Sequence, residues 1–220
     1  MPNWVTNIIL LEGDAKQIEA LKEHVKSEES EFDFNKIIPM PEELSVTGST
    51  QYADKFLEKY KNAPMQEIIL ERLDQSIEYF LYEIECAGDK LTEKDINATK
   101  QMVHNYFKYG YTYWYDWHID MWGTKWEADG ASADGDCISF NTAWSTPEPV
   151  IRELSKLYPK VIIKVNYADE DLGVNCGTYT CIDGITDHDG FSGGDDALKF
   201  ACDLWGYDYD EIIAERDQDS

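Results

Sequence analysis

Three groups of residues in this 220-residue sequence carry chemistry by type and spacing. The first is acidic. Asp195, Asp196, Asp203, Asp208, Asp210 and Glu211 punctuate two segments, DDALKFACDLWG and DYDEIIAERD, whose apolar residues recur at helical spacing. DNA presents one negative charge per roughly 1.7 Å of its axis. Carboxylates on ordered helices approximate that density, so these six are read as a contact surface for a basic partner. The second group lies in YGYTYWYDWHIDMWGTKWEADG, from Tyr109 to Gly130, which holds four of the seven tryptophans. His118, Asp120, Trp122, Lys125 and Trp126 bring together rings, both signs of charge and one group that titrates near neutral pH, as a small-ligand pocket requires. The third group consists of aspartate-rich turns, DGASADGD, ADEDLG and TDHDG. None completes a calcium loop, and no metal site is assigned.

Other chemistries find little support. No Cys–His pair lies close in sequence, and no catalytic residue is assigned. GFSGGDDA precedes a helix, but Asp195 and Asp196 stand where a phosphate needs positive charge. They fit as first-turn acids complementing the helix dipole, and no cofactor is expected. Stacked nucleobases need rings beside Lys or Arg. Here Lys125 stands among Asp116, Asp120, Glu127 and Asp129, so direct nucleic-acid binding is not expected.

Composition agrees. Lys+Arg 19 against Asp+Glu 44 gives a net charge of -25, which repels nucleic acid and anionic membranes and attracts basic partners. An aromatic content of 13% argues against disorder despite that charge. From Asp169 onward about fifteen acids face only Lys199 and Arg216. Five cysteines without a C-x-x-C read as reduced, mostly buried thiols. No apolar run approaches the roughly 20 residues of a membrane span, and the start lacks a signal-peptide pattern, so a cytoplasmic protein is expected.

The positioning elements follow from periodicity. VTNIILLEGD reads as a strand, and Asp14 caps a helix with Ile18, Leu21 and Val25 inward. FDFNKIIPMPEEL reads as an extended, strand-like segment that Pro39 and Pro41 stop. From Thr50 to Trp117 the pattern is helical in about three elements, with Thr92 and Asp95 as an acidic capping box. TKWEA and CISFNTAWS read as a hairpin around the loop DGASADGDC. TPEPVIRELSKLYPK is a helix capped by Thr146, VIIKVNYAD and NCGTYTCIDG are partner strands, and two acidic helices follow. Trp114, Trp117, Trp122, Trp126 and Trp144 read as one core of large rings. The expected class is α+β: a ferredoxin-like antiparallel sheet with helices on one face, a large helical insertion and short C-terminal helices. The expected organisation is one domain over 1–220, an insertion at 48–118 and an acidic tail at 195–220.

Several separated motifs occur in order: MPNW at the start, FDFNKIIPMPEEL at Phe32 to Leu44, WGTKW at Trp122 to Trp126, the F-x-T-A-W-S-x-P pattern at Phe140 to Pro147, and YADEDLG. In these the chain resembles the YubB ferredoxin-like family of plasmid, prophage and phage proteins. The resemblance covers the first 45 residues or so and the stretch from about Tyr115 to Thr180. It implies the fold, a mobile-element setting and a bacterial cytoplasm, and it implies no reaction and no catalytic residue. Members often carry more basic residues than this chain, which assigns the charge to this protein's own task.

The expected function is that of a non-enzymatic acidic binding protein of a phage or mobile element that occupies a basic host protein, one that binds nucleic acid or belongs to a defence system, such as a restriction or CRISPR effector. In that role it acts as a DNA mimic. The alternative is an enzyme or small-ligand binder with a Trp-lined pocket between sheet and insertion.

Overall fold

The computed structural model describes residues 3–60, 71–190 and 193–218. The chain divides into two compact units, Met1–Pro39 with His118–Ser220, and Met40–Trp117.

In the first unit, β1 (Trp4–Glu12) alternates buried and exposed side chains, and Val5, Asn7, Ile9 and Leu11 point into the core. The Asp14 carboxylate accepts the Lys16 N–H at 3.0 Å and starts α1 (Ala15–Val25), which buries Ile18, Leu21 and Val25. Strands β2 (Asp129–Asp134) and β3 (Cys137–Ala143), helix α6 (Glu148–Leu157) and strand β4 (Ile162–Asp169) complete a β-α-β-β-α-β path. Strands β5 (Cys176–Ile182) and β6 (Ile185–Gly190) extend it. The sheet order is β2-β3-β1-β4-β5-β6 with every neighbouring pair antiparallel. The first four strands in that order are the ferredoxin-like arrangement, and the class is α+β.

Helices α1 and α6 cover the core face and meet where the Tyr158 hydroxyl donates to the Ala20 carbonyl at 3.1 Å. Ser155 in α6 lies 3.1 Å from the Cys181 thiol of β5. Helix α7 (Asp195–Trp205) packs on the opposite face, its Ala197 carbonyl 3.6 Å from the Cys176 thiol. The Trp205 indole N–H bonds the Ala168 and Asp169 carbonyls. α8 (Tyr209–Gln218) follows after Gly206, whose left-handed backbone ends α7.

In the second unit, α2 (Gln51–Tyr60), α3 (Leu73–Cys86) and α4 (Glu93–Tyr109) share a core of Phe56, Leu57, Ile77, Phe80, Leu81, Met102 and Val103. The Thr92–Asp95 capping box forms. The apolar stripe expected at helical spacing from Met65 to Ile84 has its Leu73 to Ile84 part on α3, and Met65, Ile68 and Ile69 fall outside the described residues. The unit boundary lies within α5 (Trp114–Trp122). The last part of the expected helical pattern, the apolar stripe from Ile96 to Trp117, lies on two helices and not one. Gly110, at φ 84°, ends α4, and the buried Asn105 amide bonds the Thr112 carbonyl beyond the break.

Four local expectations are corrected. The segment at 32–44 forms two short 3₁₀ turns, Phe34–Lys36 and Glu42–Leu44, and no strand. The Asp33 carboxylate accepts the Asn35 N–H at 2.9 Å, which folds Phe32 and Phe34 together against Phe140. TKWEA is not a strand; DGASAD is, because these turn-type residues pair with β3 across a bulge and leave only Gly135 and Asp136 to turn. Thr146 does not cap α6: its hydroxyl is bonded with that of Tyr179, 3.1 Å away. The cysteines are unpaired, but only Cys181 and Cys202 are buried.

Candidate functional site

The acidic surface is built by the way α7 seats. Ala197, Leu198, Ala201 and Cys202 form its buried stripe, and that placement turns Asp195, Asp196 and Asp203 outward. Just before α8 the Asp208 carboxylate accepts the Glu211 N–H at 3.1 Å, and Asp210 and Glu211 occupy the first turn. All six expected contact acids are therefore exposed, five on two consecutive helices and Asp208 in the connection between them. None of the six is in an ion pair among the described residues, whereas Lys26, Lys59, Lys100, Lys108, Lys156 and Lys164 each pair with a nearby glutamate. Of the two cations nearby, Lys199 lies over the Tyr209 ring at 5.0 Å and Arg216 donates to the Leu172 carbonyl at 2.9 Å.

The five expected pocket residues separate into two roles. His118 and Trp122 are buried and stack at 3.8 Å between centroids. The Trp122 indole N–H donates to the Ile38 carbonyl at 2.9 Å. His118 Nδ1 bonds the Lys125 carbonyl at 2.8 Å, and burial lowers its pKa. These two rings are core. Asp120 is exposed on the same helix. Lys125 and Trp126 are half-buried and face outward together.

Lys125 extends its ammonium over Trp126 at 4.6 Å and over Trp144 at 4.9 Å, and Trp4 lies 5.9 Å from Trp126. Trp144 does not join the expected core of rings. It is 41% exposed because φ 71° turns it off the end of β3. A bulky residue in that left-handed region is strained, and such strain concentrates at functional sites. Beneath it, Trp144 N–H donates to the Asn3 carbonyl and its own carbonyl accepts from Asn175. The buried Asp169 carboxylate ties Asn3 and Asn175 together. Trp144, Asn175 and Asp169 were missed as site residues because their meeting depends on sheet register. The two tryptophans flanking a lysine were the available signal. Trp144→Gly is expected to keep the melting temperature or raise it, since it relieves about 1 kcal/mol of backbone strain at an exposed position. A calorimetric melt checks this, and a loss of several degrees would show that the ring supports the fold.

Glu127 was also missed. Its carboxylate accepts the Phe34 N–H at 3.1 Å and the Asn35 amide, beside a hollow of about 280 Å³ lined by Ser27, Glu29, Ser30, Asp33 and Asn35. Burial pushes its pKa up to about 7, helped by the Asp33 charge and opposed by the Phe34 N–H. A carboxyl whose folded pKa is raised stabilises fully below its unfolded pKa near 4.5 and loses that contribution as pH rises to about 7. Stability is therefore expected to fall between pH 5 and 7, and Glu127→Gln to flatten that slope in denaturant titrations. An unchanged slope would refute the assignment.

The aspartate-rich turns do not gather a metal site: among the described residues no three His, Cys, Asp or Glu groups are placed to hold an ion. TDHDG lies in β6, where His188 approaches the Glu148 carboxylate at 3.4 Å. No helix among the described residues is long and apolar enough to cross a membrane.

The fold defines a ferredoxin-like α+β protein. A family model described as the ferredoxin-like domain in Api92-like protein matches residues 121–210, the stretch that contains β2 to β6 and α7. The crystal structure of the protein api92 from Yersinia pseudotuberculosis is similar at a TM-score of 0.41 and 11% identity, over 87% of this chain and 99% of that one. No curated protein matches the chain.

Proposed function

We infer that this protein is a non-enzymatic binding protein that presents the acids of α7 and α8 to a basic surface of a nucleic-acid-binding protein. The observation that carries the reading is the six exposed carboxylates on two consecutive helices and their connection, outside any ion pair among the described residues. Charge complementarity of this kind speeds association and makes it salt-sensitive. The MPNW and WGTKW motifs support placement in the YubB-type family of mobile-element proteins. A defence protein of a bacterial cytoplasm, such as a restriction or CRISPR effector, is then the partner that such an element needs to occupy. In that role the acidic helices stand in for the phosphate backbone.

The test is capture from a bacterial lysate that contains diverse defence systems, at low and high salt. A basic nucleic-acid-binding protein is expected to bind at low salt and to be lost at high salt. It is also expected to be lost when Asp195, Asp196, Asp203, Asp208, Asp210 and Glu211 become Asn or Gln. Capture that survives neutralisation would sink the reading.

A second reading, a small-ligand binder, draws on the Lys125 ammonium held over Trp126 and Trp144. A ligand there would change the fluorescence of Trp126 and Trp144, and a response that persists when both are replaced by Phe would place it elsewhere.

A further inference from the structure

Strand β6 ends the sheet, and among the described residues no strand pairs with its outer edge. Its turn, Asp183–Gly184, has φ 49° and 77°, the signature of a two-residue type I′ hairpin. Residues flanking such a turn exchange both hydrogen bonds, and bonded pairs then alternate with non-bonded ones. Ile182–Ile185, Thr180–Asp187 and Thr178–Asp189 are therefore the bonded pairs. It follows that Thr186 and His188 direct their N–H and C=O groups away from β5. The side chains alternate as well. Thr186 and His188 share the core face with Cys181 and Tyr179, while Ile185, Asp187 and Asp189 lie on the opposite face.

Such an edge invites pairing unless something opposes it. A second copy of this strand would set Asp187 and Asp189 against the same acids, and like charges directly opposed are destabilising. A strand with basic residues meets the reverse situation. Asp187 and Asp189 attract ammonium or guanidinium groups at alternate positions. Ile185, 73% exposed, offers an apolar contact two residues further along. Glu148 beside His188 adds negative charge on the core side.

We propose that β6 takes up an extended lysine- or arginine-bearing segment of a partner protein as an added antiparallel strand. This rests on the reading above that the partner is basic, and it specifies how part of that partner binds. The strand pairs through the outward groups of Thr186 and His188. Running antiparallel, it places basic residues opposite Asp189 and then Asp187, and an aliphatic residue opposite Ile185.

The test titrates the intact protein with a synthetic peptide in which lysine, lysine and isoleucine alternate with threonine in that order. Amide hydrogen exchange by NMR is expected to show protection of Thr186 and His188 on binding. Thr186→Pro removes one outward N–H without breaking the β5 ladder, because proline is tolerated on an edge. It is expected to abolish binding. Asp187→Asn with Asp189→Asn should weaken binding roughly fivefold. Absence of binding overturns the proposal. Binding that Thr186→Pro keeps but neutralised α7 and α8 lose overturns it while leaving the acidic-helix reading standing. Binding that Thr186→Pro loses and the neutralised helices keep supports it and counts against that reading. A dimer of the free protein that Thr186→Pro dissolves overturns it in favour of a second copy.

Discussion

Replacing Trp122 by alanine is expected to lower the unfolding free energy of the sheet-containing unit by about 3–5 kcal/mol. Trp122 is 1% exposed. Its ring stacks on His118 and meets Phe34 edge-on at 5.6 Å, and Phe34 in turn lies against Phe140 of β3. Its indole N–H satisfies the Ile38 carbonyl. Truncation removes a large apolar area, opens a cavity among rings that cannot collapse into it, and leaves that carbonyl without its donor. Trp122→Phe restores most of the area but not the hydrogen bond, so a loss of about 1–2 kcal/mol is expected. Urea denaturation of the three proteins measures both steps. A Trp122→Ala protein as stable as the parent would show that the ring serves a ligand and not the core.

Asp169→Asn is expected to destabilise by about 2 kcal/mol although it changes the side chain's size very little. The carboxylate is 6% exposed and accepts three bonds: from the Asn3 amide at 3.2 Å, the Asp171 N–H at 2.9 Å and the Asn175 amide at 3.0 Å. Every partner is a donor. A carboxylate is acceptor-only, whereas an amide turns two hydrogens toward groups that also donate. The Asn175 side chain bonds Asp169 as well as the Trp144 carbonyl. The substitution should therefore also loosen the strained Trp144 turn. Chemical denaturation gives the first effect, and a red shift of Trp144 emission, isolated by comparison with Trp144→Phe, gives the second. A variant within 0.5 kcal/mol of the parent would mean that solvent already shares those donors.

Where one element suffices, the sequence was legible. A β-rich apolar run placed β1, alternation placed β3 and β4 and so the partner strand β5, and the Asp14 cap and the Thr92–Asp95 box placed two helix starts, because these signals act within a turn or a strand. Order then implied the ferredoxin-like sheet, since short connections leave few ways to pair four such strands around two helices.

Reading by residue type failed where pairing outweighs propensity. Asp129–Asp134 is rich in turn formers, yet β3 supplies its ladder. Ile185–Gly190 contains the aspartate-rich TDHDG, read as a turn, yet a two-residue turn before it folds it back on β5 as a strand. Thr146 has a capping residue's chemistry, yet the buried Tyr179 hydroxyl engages it.

The acidic surface divides the same way. The excess of carboxylates after Asp169 and their helical spacing can be read from residue order alone. The fold adds that the stripe Ala197, Leu198, Ala201 and Cys202 seats on the sheet and so turns Asp195, Asp196 and Asp203 to solvent. It likewise decided that Trp122 and His118 are core while Trp144 stands outside it. Ring burial depends on which distant strand arrives beside it, and residue spacing along one segment carries no record of that arrival.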